Sequence, residues 1–420
     1  MKKICVIGLG YIGLPTASMF ATNGVDVLGV DINEKVVKDL QDCKLNIYEP
    51  GLQELVNIAI KNNHFKVSLN PSEADVYIIS VPTPFKENHE PDLKYIESAV
   101  KEIAPYVQGG NLIILESTSP VGTTRKIAAL LCNYRKDLYV KLTDDGKCNQ
   151  DNRQEVYLAY CPERVLPGKI IEELKYNNRI IGGINKKSSK LAKEVYEIFV
   201  EGEIFITNDK TAEMAKLTEN SYRDLNIAFA NELSLICDKA GINVWELIKL
   251  ANKHPRVNIL QPGPGVGGHC IAVDPWFIVD GFPEEAKLIK MARDVNDNKP
   301  KYVVHKVSRI LDNNKIFDVA VLGLSFKADI DDLRESPAIE VLFELASKYP
   351  NVNFNVVEPF VSRLPEKISN YHNITLETVE NAIDHSVLVI ILVDHTIFKH
   401  MDQKMFINKI VIDTRGIYEK

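Results

Sequence analysis

A cysteine framed by glycines and followed by an acid is the most chemically suggestive stretch of this chain: Pro262-Gly-Pro-Gly265-Val-Gly267-Gly268-His269-Cys270-Ile-Ala-Val-Asp274-Pro275. So many glycines cost conformational entropy on folding, a cost that makes sense where backbone must approach something closely. A thiol at the end of such a loop is a candidate nucleophile. By residue type alone, however, a single cysteine is more often a buried structural thiol. Its company changes the balance. Within one long helical stretch, Lys216, Asn220 and Arg223 recur at i, i+4 and i+7 and share a face. Spacing alone favours a solvated polar stripe, yet a lysine and an amide on a rigid helix could equally donate to a developing alkoxide or oxyanion. Likewise Cys161-Pro-Glu163-Arg164-Val165-Leu-Pro-Gly168 sets a carboxylate beside an arginine at the end of an apolar run, with a surface ion pair as the plain alternative.

A second constellation lies near the start. Gly8-Leu-Gly10-Tyr11-Ile12-Gly13 falls between an apolar strand pattern and a helical one. The first glycine permits the tight turn, the second lets backbone approach a pyrophosphate, and the third allows close helix–strand packing. The helix N-terminus adds free N–H groups and a favourable dipole. Asp31 stands eighteen residues past Gly13. A carboxylate there accepts hydrogen bonds from the adenosine ribose and repels a 2′-phosphate, so NAD is favoured over NADP. Val81-Pro-Thr83-Pro and Glu116-Ser-Thr118-Ser-Pro-Val-Gly122 follow later strands and place Thr83 and Thr118 near that cofactor, although either hydroxyl alone reads more readily as a cap or turn residue.

Positioning these residues calls for a large scaffold. The chain has 420 residues, which implies two or three domains. Strand patterns over Lys3–Ile7, Asp26–Val30, Asp75–Val81 and Asn111–Ser117 alternate with amphipathic segments such as Ile12–Thr22, as in βαβ units with a parallel sheet. Residues 141–155 are polar and turn-rich and read as an exposed excursion, after which Val156–Tyr160 resumes the strand pattern. An uninterrupted helical pattern runs from Thr211 to Ala240 and stops at Gly241. Helices are expected over Glu284–Asp297 and Lys301–Asn313, and then a second α/β block with strands Asp318–Leu322, Asn353–Val357, Ser386–Val393 and Lys409–Asp413 around a helix Pro337–Lys348. The expected fold is α/β, with two Rossmann-like domains of parallel strands joined by a long helix and a central helical region. Its parts are residues 1–207 for the dinucleotide, 208–313 for the helical catalytic-loop and dimerisation region, and 314–420 for the second block.

Composition excludes other classes. A net charge of -7 argues against a nucleic-acid surface. No stretch approaches the roughly 20 apolar residues of a membrane helix, and glycines and charges interrupt the N-terminal run too early for a secretory signal. The 7 cysteines (Cys5, Cys43, Cys132, Cys148, Cys161, Cys237, Cys270) are odd in number and form no C-x-x-C pair, so neither a disulfide framework nor a metal site is expected, and a reducing cytoplasm is.

Taken in order, Gly8–Gly13, Ser117-Thr118, Pro162-Glu163-Arg164, Lys216 with Asn220, and Gly267-Gly268-His269-Cys270 resemble the UDP-sugar 6-dehydrogenase family over essentially the whole chain. Three stretches resemble the branch acting on UDP-N-acetylmannosamine: Val81-Pro-Thr83-Pro-Phe-Lys-x-x-His89-Glu-Pro-Asp92, His254-Pro-Arg256-Val-Asn-Ile-Leu260, and Ile271-Ala-Val-Asp274-Pro-Trp276-Phe277. UDP-glucose dehydrogenases carry a different loop at His254–Leu260. The resemblance implies a four-electron oxidation with two NAD in succession. It makes Cys270 the nucleophile that captures a C6 aldehyde and carries a thioester, Lys216 the proton donor or acceptor for the substrate oxygen, and Asn220 its oxyanion partner. Asp274, Thr118 and Glu163 would position or activate water. Whether Lys216 works as a neutral base or a fixed charge stays open. The same likeness assigns Glu163, Arg164, Val165, Arg223, His254, Arg256, Gly267, Phe326, Lys327, Arg334 and Arg415 to a UDP-N-acetyl-hexosamine, with Arg334 also reaching the cofactor. It implies a homodimer or higher homo-oligomer, and a product feeding cell-surface glycan synthesis. Two other readings share parts of the pattern. A two-electron hydroxyacid dehydrogenase has no need of Cys270, and a non-catalytic NAD-binding regulator leaves the lysine, asparagine, cysteine and acid unexplained.

Overall fold

The computed structural model describes residues 2–45, 47, 49–86, 88–143, 152–268 and 270–418. His269, Cys148 and most of the expected excursion at 141–155 lie outside them. The chain divides into two compact units, one of Met1–Glu219 with Trp276–Gly281, the other of Asn220–Pro275 with Phe282–Lys420.

In the first unit the strands are β1 (Lys3–Ile7), β2 (Asp26–Val30), β3 (Phe65–Ser68), β4 (Val76–Ile79), β5 (Leu112–Leu115), β6 (Leu138–Tyr139), β7 (Gln154–Glu155), β8 (Tyr157–Tyr160), β9 (Arg179–Gly183) and β10 (Ile204–Asn208). Eight of them form one sheet in the order β10-β9-β8-β5-β4-β1-β2-β3. All neighbours run parallel except β8 and β9. β4, β5 and β8 read VYII, LIIL and YLAY and are buried at every position, as strands covered on both faces must be. Successive side chains point to opposite faces, so Ile4, Val6, Ile78 and Ile114 enter one apolar layer with Phe20. Cys5, Ile7, Tyr77, Ile79 and Leu115 enter the other. Strand order reverses between β1 and β4, and that reversal opens the ligand crevice of such sheets. β6 and β7 pair in parallel as a small ribbon, so the end of the expected excursion is strand.

The second unit contains β11 (Asp318–Leu322), β12 (Asn353–Val357), β13 (Ile374–Leu376), β14 (Leu388–Ile391) and β15 (Ile410–Asp413). They form an all-parallel sheet in the order β13-β12-β11-β14-β15. Helix Pro337–Lys348 starts on a Ser336 cap and buries Val341, Leu342 and Leu345 against it. The expected fold class and the bounds of β1, β2, β11, β12 and this helix agree with the structure.

One expectation fails. Glu284–Asp297 and Lys301–Asn313 are not two helices but one of 27 residues, Lys287–Asn313, with Pro300 inside. A proline in a helix removes one hydrogen bond and costs about 3 kcal/mol. Polar contacts to the 32-residue Asp209–Ala240 helix straddle the defect and hold the two segments in line. Arg293 reaches Asp224 at 2.6 Å, Asn231 donates to Asn296 at 2.8 Å, Lys299 bonds Ser234, and Lys306 reaches Asp238 at 2.7 Å.

Candidate active site

The turn after β1 fits a dinucleotide by exclusion of side chains. A Cβ on Gly13 would stand 1.9 Å from the Gly8 carbonyl oxygen, and one on Gly8 2.3 Å from that of Ser80. Gly10 has nothing within 4 Å of such a Cβ, which leaves room for a pyrophosphate. Asp31, at the end of β2, accepts the Leu9 N–H at 2.9 Å through one oxygen and that of Asn33 at 2.9 Å through the other. The carboxylate is thereby fixed at the rim and still offers lone pairs to a ribose. Ser117 ties the two later loops together, accepting from Val81 N at 2.9 Å and donating to Val81 O at 2.7 Å. Thr83 Oγ1 is buried and bonds no described residue. Tyr11 is exposed at the turn, Ile12 precedes the following helix without a side-chain capping bond, and Thr118 is half-buried. These residues fit NAD.

Behind β5 and β8 lies a buried ionic network that sequence reasoning missed. Glu163, nearly buried, accepts Arg179 Nη2 at 2.7 Å and the Arg164 N–H at 2.7 Å. Arg179, only 4% exposed, also faces Glu116 at 3.7 Å and approaches the Cys161 thiol at 3.6 Å. Tyr196 OH donates to Glu116 at 3.1 Å. Burial first, then the Glu163 charge, pushes the Glu116 carboxyl up to about 7 against the pull of Arg179, Tyr196 and Ser80. Burial pushes the Cys161 thiol up to about 12, so it stays protonated and is no nucleophile. The only advance signal for Glu116 was an acid ending the apolar run LIIL. Glu49 secures the loop that carries Glu163 by accepting the N–H groups of Gly168 at 2.8 Å and Ile170 at 2.7 Å. Arg164 grips Glu219 with two nitrogens, at 3.0 and 2.8 Å, while Val165 packs at the edge of the core. Lys216 is buried one turn before Asn220 on the same helix.

In the second unit the glycines of the thiol loop do serve a close approach, as expected. They make room for the chain's own 326–337 segment. A Cβ on Gly267 would stand 2.4 Å from the Glu335 carbonyl, and one on Gly268 2.9 Å from the Phe326 ring. Phe326 therefore packs on the loop, and Gly267 is needed for that packing whatever else it touches. Cys270 is exposed, and its carbonyl accepts the N–H groups of Val273 and Asp274 at 3.1 and 2.9 Å, closing the turn that leads into helix Asp274–Gly281. Asp274 is buried, and Asn220 Nδ2 donates to its Oδ2 at 2.5 Å. The structure thus joins Asn220 to Asp274, two of the residues singled out around the thiol.

The remaining candidates are dispersed. Arg223, His254, Arg256 and Lys327 are exposed, and Arg334 pairs with Asp332 at 2.6 Å. Arg415 is held by Asp394 at 2.5 Å, and its Nη1 occupies the space a Gly263 side chain would need. It lines a cleft of about 700 Å³ with Trp245, Lys249, Lys253 and Lys399. Among the described residues no helix is long and apolar enough to cross a membrane.

Comparison with known proteins finds one family along most of the chain. Three models of the UDP-glucose/GDP-mannose dehydrogenase family match in order: its NAD binding domain over residues 2–200, its central domain over 210–298 and its UDP binding domain over 320–420. The UDP-N-acetyl-D-mannosamine dehydrogenase of Campylobacter jejuni is 55% identical over 94% of this chain and 96% of its own. The NDP-N-acetyl-D-galactosaminuronic acid dehydrogenase of Ralstonia solanacearum is 49% identical over 99% and 96%. The solved UDP-N-acetyl-mannosamine dehydrogenase of Staphylococcus aureus superposes with a TM-score of 0.86 at 42% identity, covering 100% of this chain and 96% of that one.

Proposed function

We propose, on the premise that this chain belongs to the UDP-glucose/GDP-mannose dehydrogenase family, that it oxidises the C6 alcohol of UDP-N-acetyl-D-mannosamine to the uronate. NAD, bound twice in succession, accepts the two hydrides. Lys216 exchanges the proton of the reacting oxygen, and Asn220 donates to that oxygen as charge develops. The Cys270 thiolate adds to the C6 aldehyde, so the reactive intermediate stays covalently held until it has become a thioester. Glu163, steadied by Thr118 and Asp274 around the water, takes a proton as hydrolysis releases the acid and restores the thiol. His254, Arg256, Gly267, Phe326, Lys327 and Arg415 hold the nucleotide-sugar with Arg223, Arg164 and Val165, the arginines facing the diphosphate. Arg334 serves both ligands.

The observation that carries this reading is the 2.5 Å bond from Asn220 to Asp274, which ties the thiol loop to the helix bearing Lys216. An amide with one hydrogen committed to Asp274 presents the other in a fixed direction. We assign residues 1–207 to NAD, 208–313 to catalysis and pairing, and 314–420 to UDP. Tyr222, Phe229 and Ile236 lie seven residues apart and exposed on the long helix, as a homodimer packing on these helices requires. The enzyme is proposed to work in the cytoplasm and to supply glycan synthesis. Incubation with NAD and a panel of UDP-hexoses tests the substrate. UDP-N-acetylmannosamine should be turned over far faster than its N-acetylglucosamine and N-acetylgalactosamine counterparts or UDP-glucose. Preference for any of those overturns the sugar assignment.

A further inference from the structure

We infer that Glu116 is a positioning residue for thioester hydrolysis, acting on Glu163 through the guanidinium of Arg179 that the two carboxylates share. The inference rests on the proposed role of Glu163 as the base. Its ground is geometric. Arg179 is wedged with Nη2 at 2.7 Å from Glu163 and Nη1 at 3.7 Å from Glu116, all three nearly sealed from water. Every neighbouring element contributes to the pocket. Thr16 donates to Glu116 at 3.5 Å from the first helix, Ser80 follows β4, Cys161 and Glu163 follow β8, Arg179 opens β9, and Tyr196 ends helix Lys186–Tyr196. The Arg179 guanidinium also lies 4.3 Å from the centroid of the Tyr196 ring, which fixes its plane. Glu116 Oε1 takes the bonds from Tyr196 and Thr16, while Oε2 accepts none that meets hydrogen-bond geometry among the described residues. Two carboxylates and one guanidinium leave a net negative charge in a dry pocket, which favours one proton on the pair.

The geometry favours Glu116 as its seat, since Arg179 stands 2.7 Å from Glu163 and 3.7 Å from Glu116, and burial pushes the Glu116 carboxyl up to about 7. While Glu116 is neutral, the charge of Arg179 belongs to Glu163 alone and holds its electron pair. Once Glu116 ionises, Arg179 answers to both, and Glu163 accepts a proton from water more readily. In the step itself, the water oxygen bonds to the thioester carbon as its proton passes to Glu163. The carbon–sulfur bond then breaks, its electron pair leaves with Cys270 Sγ, and the proton returns to the thiol. No oxidant enters. Glu116 touches neither water nor thioester.

The test is the pH profile of kcat with UDP-N-acetylmannosamine and NAD, alongside mass spectrometry of the steady-state enzyme for acyl-Cys270. Glu116→Gln preserves shape and removes the titration. Wild type should speed up through pH 7 and Glu116→Gln should not, the gap growing from none at pH 6 to on the order of fivefold at pH 8.5, within the range of couplings in one ion-pair network. The variant should also accumulate the thioester above pH 7. Tyr196→Phe removes a donor to ionised Glu116, so its rise should move to higher pH. Parallel profiles for wild type and Glu116→Gln, or a loss equal at every pH, overturn the inference. Glu163→Gln separates the two claims. If no thioester builds up there, the base assignment falls and the inference with it. If it does build up while the Glu116→Gln profile stays parallel, the inference alone is wrong.

Discussion

Two turns of the same design sit at the heads of the two sheets, and they differ in what they leave open. After β1, Gly8 turns the chain and Asp31 from the end of β2 accepts the Leu9 N–H at 2.9 Å. After β11, Gly323 turns the chain and Glu358 from the end of β12 accepts the Leu324 N–H at 2.7 Å. The resemblance ends at the carboxylate. Asp31 stays half-exposed beside the open space at Gly10. Glu358 is buried, also accepts Ser325 N at 3.0 Å, and is covered by His395 at 3.2 Å. Asp329 N donates to His395 Nδ1 at 3.0 Å, so the proton on Nε2 faces Glu358. One acid is left open to solvent and the other is taken up by the fold. A shared βαβ turn therefore does not imply a second dinucleotide site, in keeping with the separate NAD and UDP binding domains of the family.

Substitutions can break that contrast. Gly13→Ala places a Cβ 1.9 Å from backbone and should cost about 3 kcal/mol or abolish NAD binding, measured by unfolding and by NAD titration. Gly323→Ala, with Val393 at 2.4 Å, should cost similar stability in the second unit without moving NAD affinity. Glu358→Ala strands three buried donors, each costing about 1–3 kcal/mol, again with NAD affinity unchanged. Asp31→Ala should do the reverse. It should weaken NAD about tenfold and narrow the preference over NADP, with a smaller loss of stability than Glu358→Ala because one of its two donors, Asn33 N, is exposed. The smallest effect concerns pH. Burial opposes ionisation of Glu358, but the His395 and backbone bonds outweigh it and hold the carboxyl below its ordinary 4.5. A carboxylate lowered on folding stabilises above its unfolded value and loses that contribution as pH falls through the folded one. Acid unfolding should therefore be shallower below about pH 4.5 in Glu358→Gln than in wild type.

Legibility in the sequence followed the same line between local and distant causes. Strands β1, β2, β11 and β12 were readable because each is an apolar run stopped by turn residues. The first crevice was readable because glycine spacing is a backbone requirement. The 27-residue helix through Pro300 was not, because contacts from another helix override the local penalty. Nor was the Glu116–Arg179–Glu163 network, since burial of a charge depends on strands far apart in sequence. The glycines before Cys270 were recognised as a close approach, but what approaches is Phe326 and Glu335 of the chain itself.

The central claim is that one thiol captures the aldehyde left by the first oxidation and carries it through the second. The direct measurement is NADH formed per limiting UDP-N-acetylmannosamine, in wild type and in Cys270→Ser. Two NADH per sugar in wild type, and no acid from Cys270→Ser, is the expected result. One NADH per sugar, or complete conversion to the acid by Cys270→Ser, contradicts it.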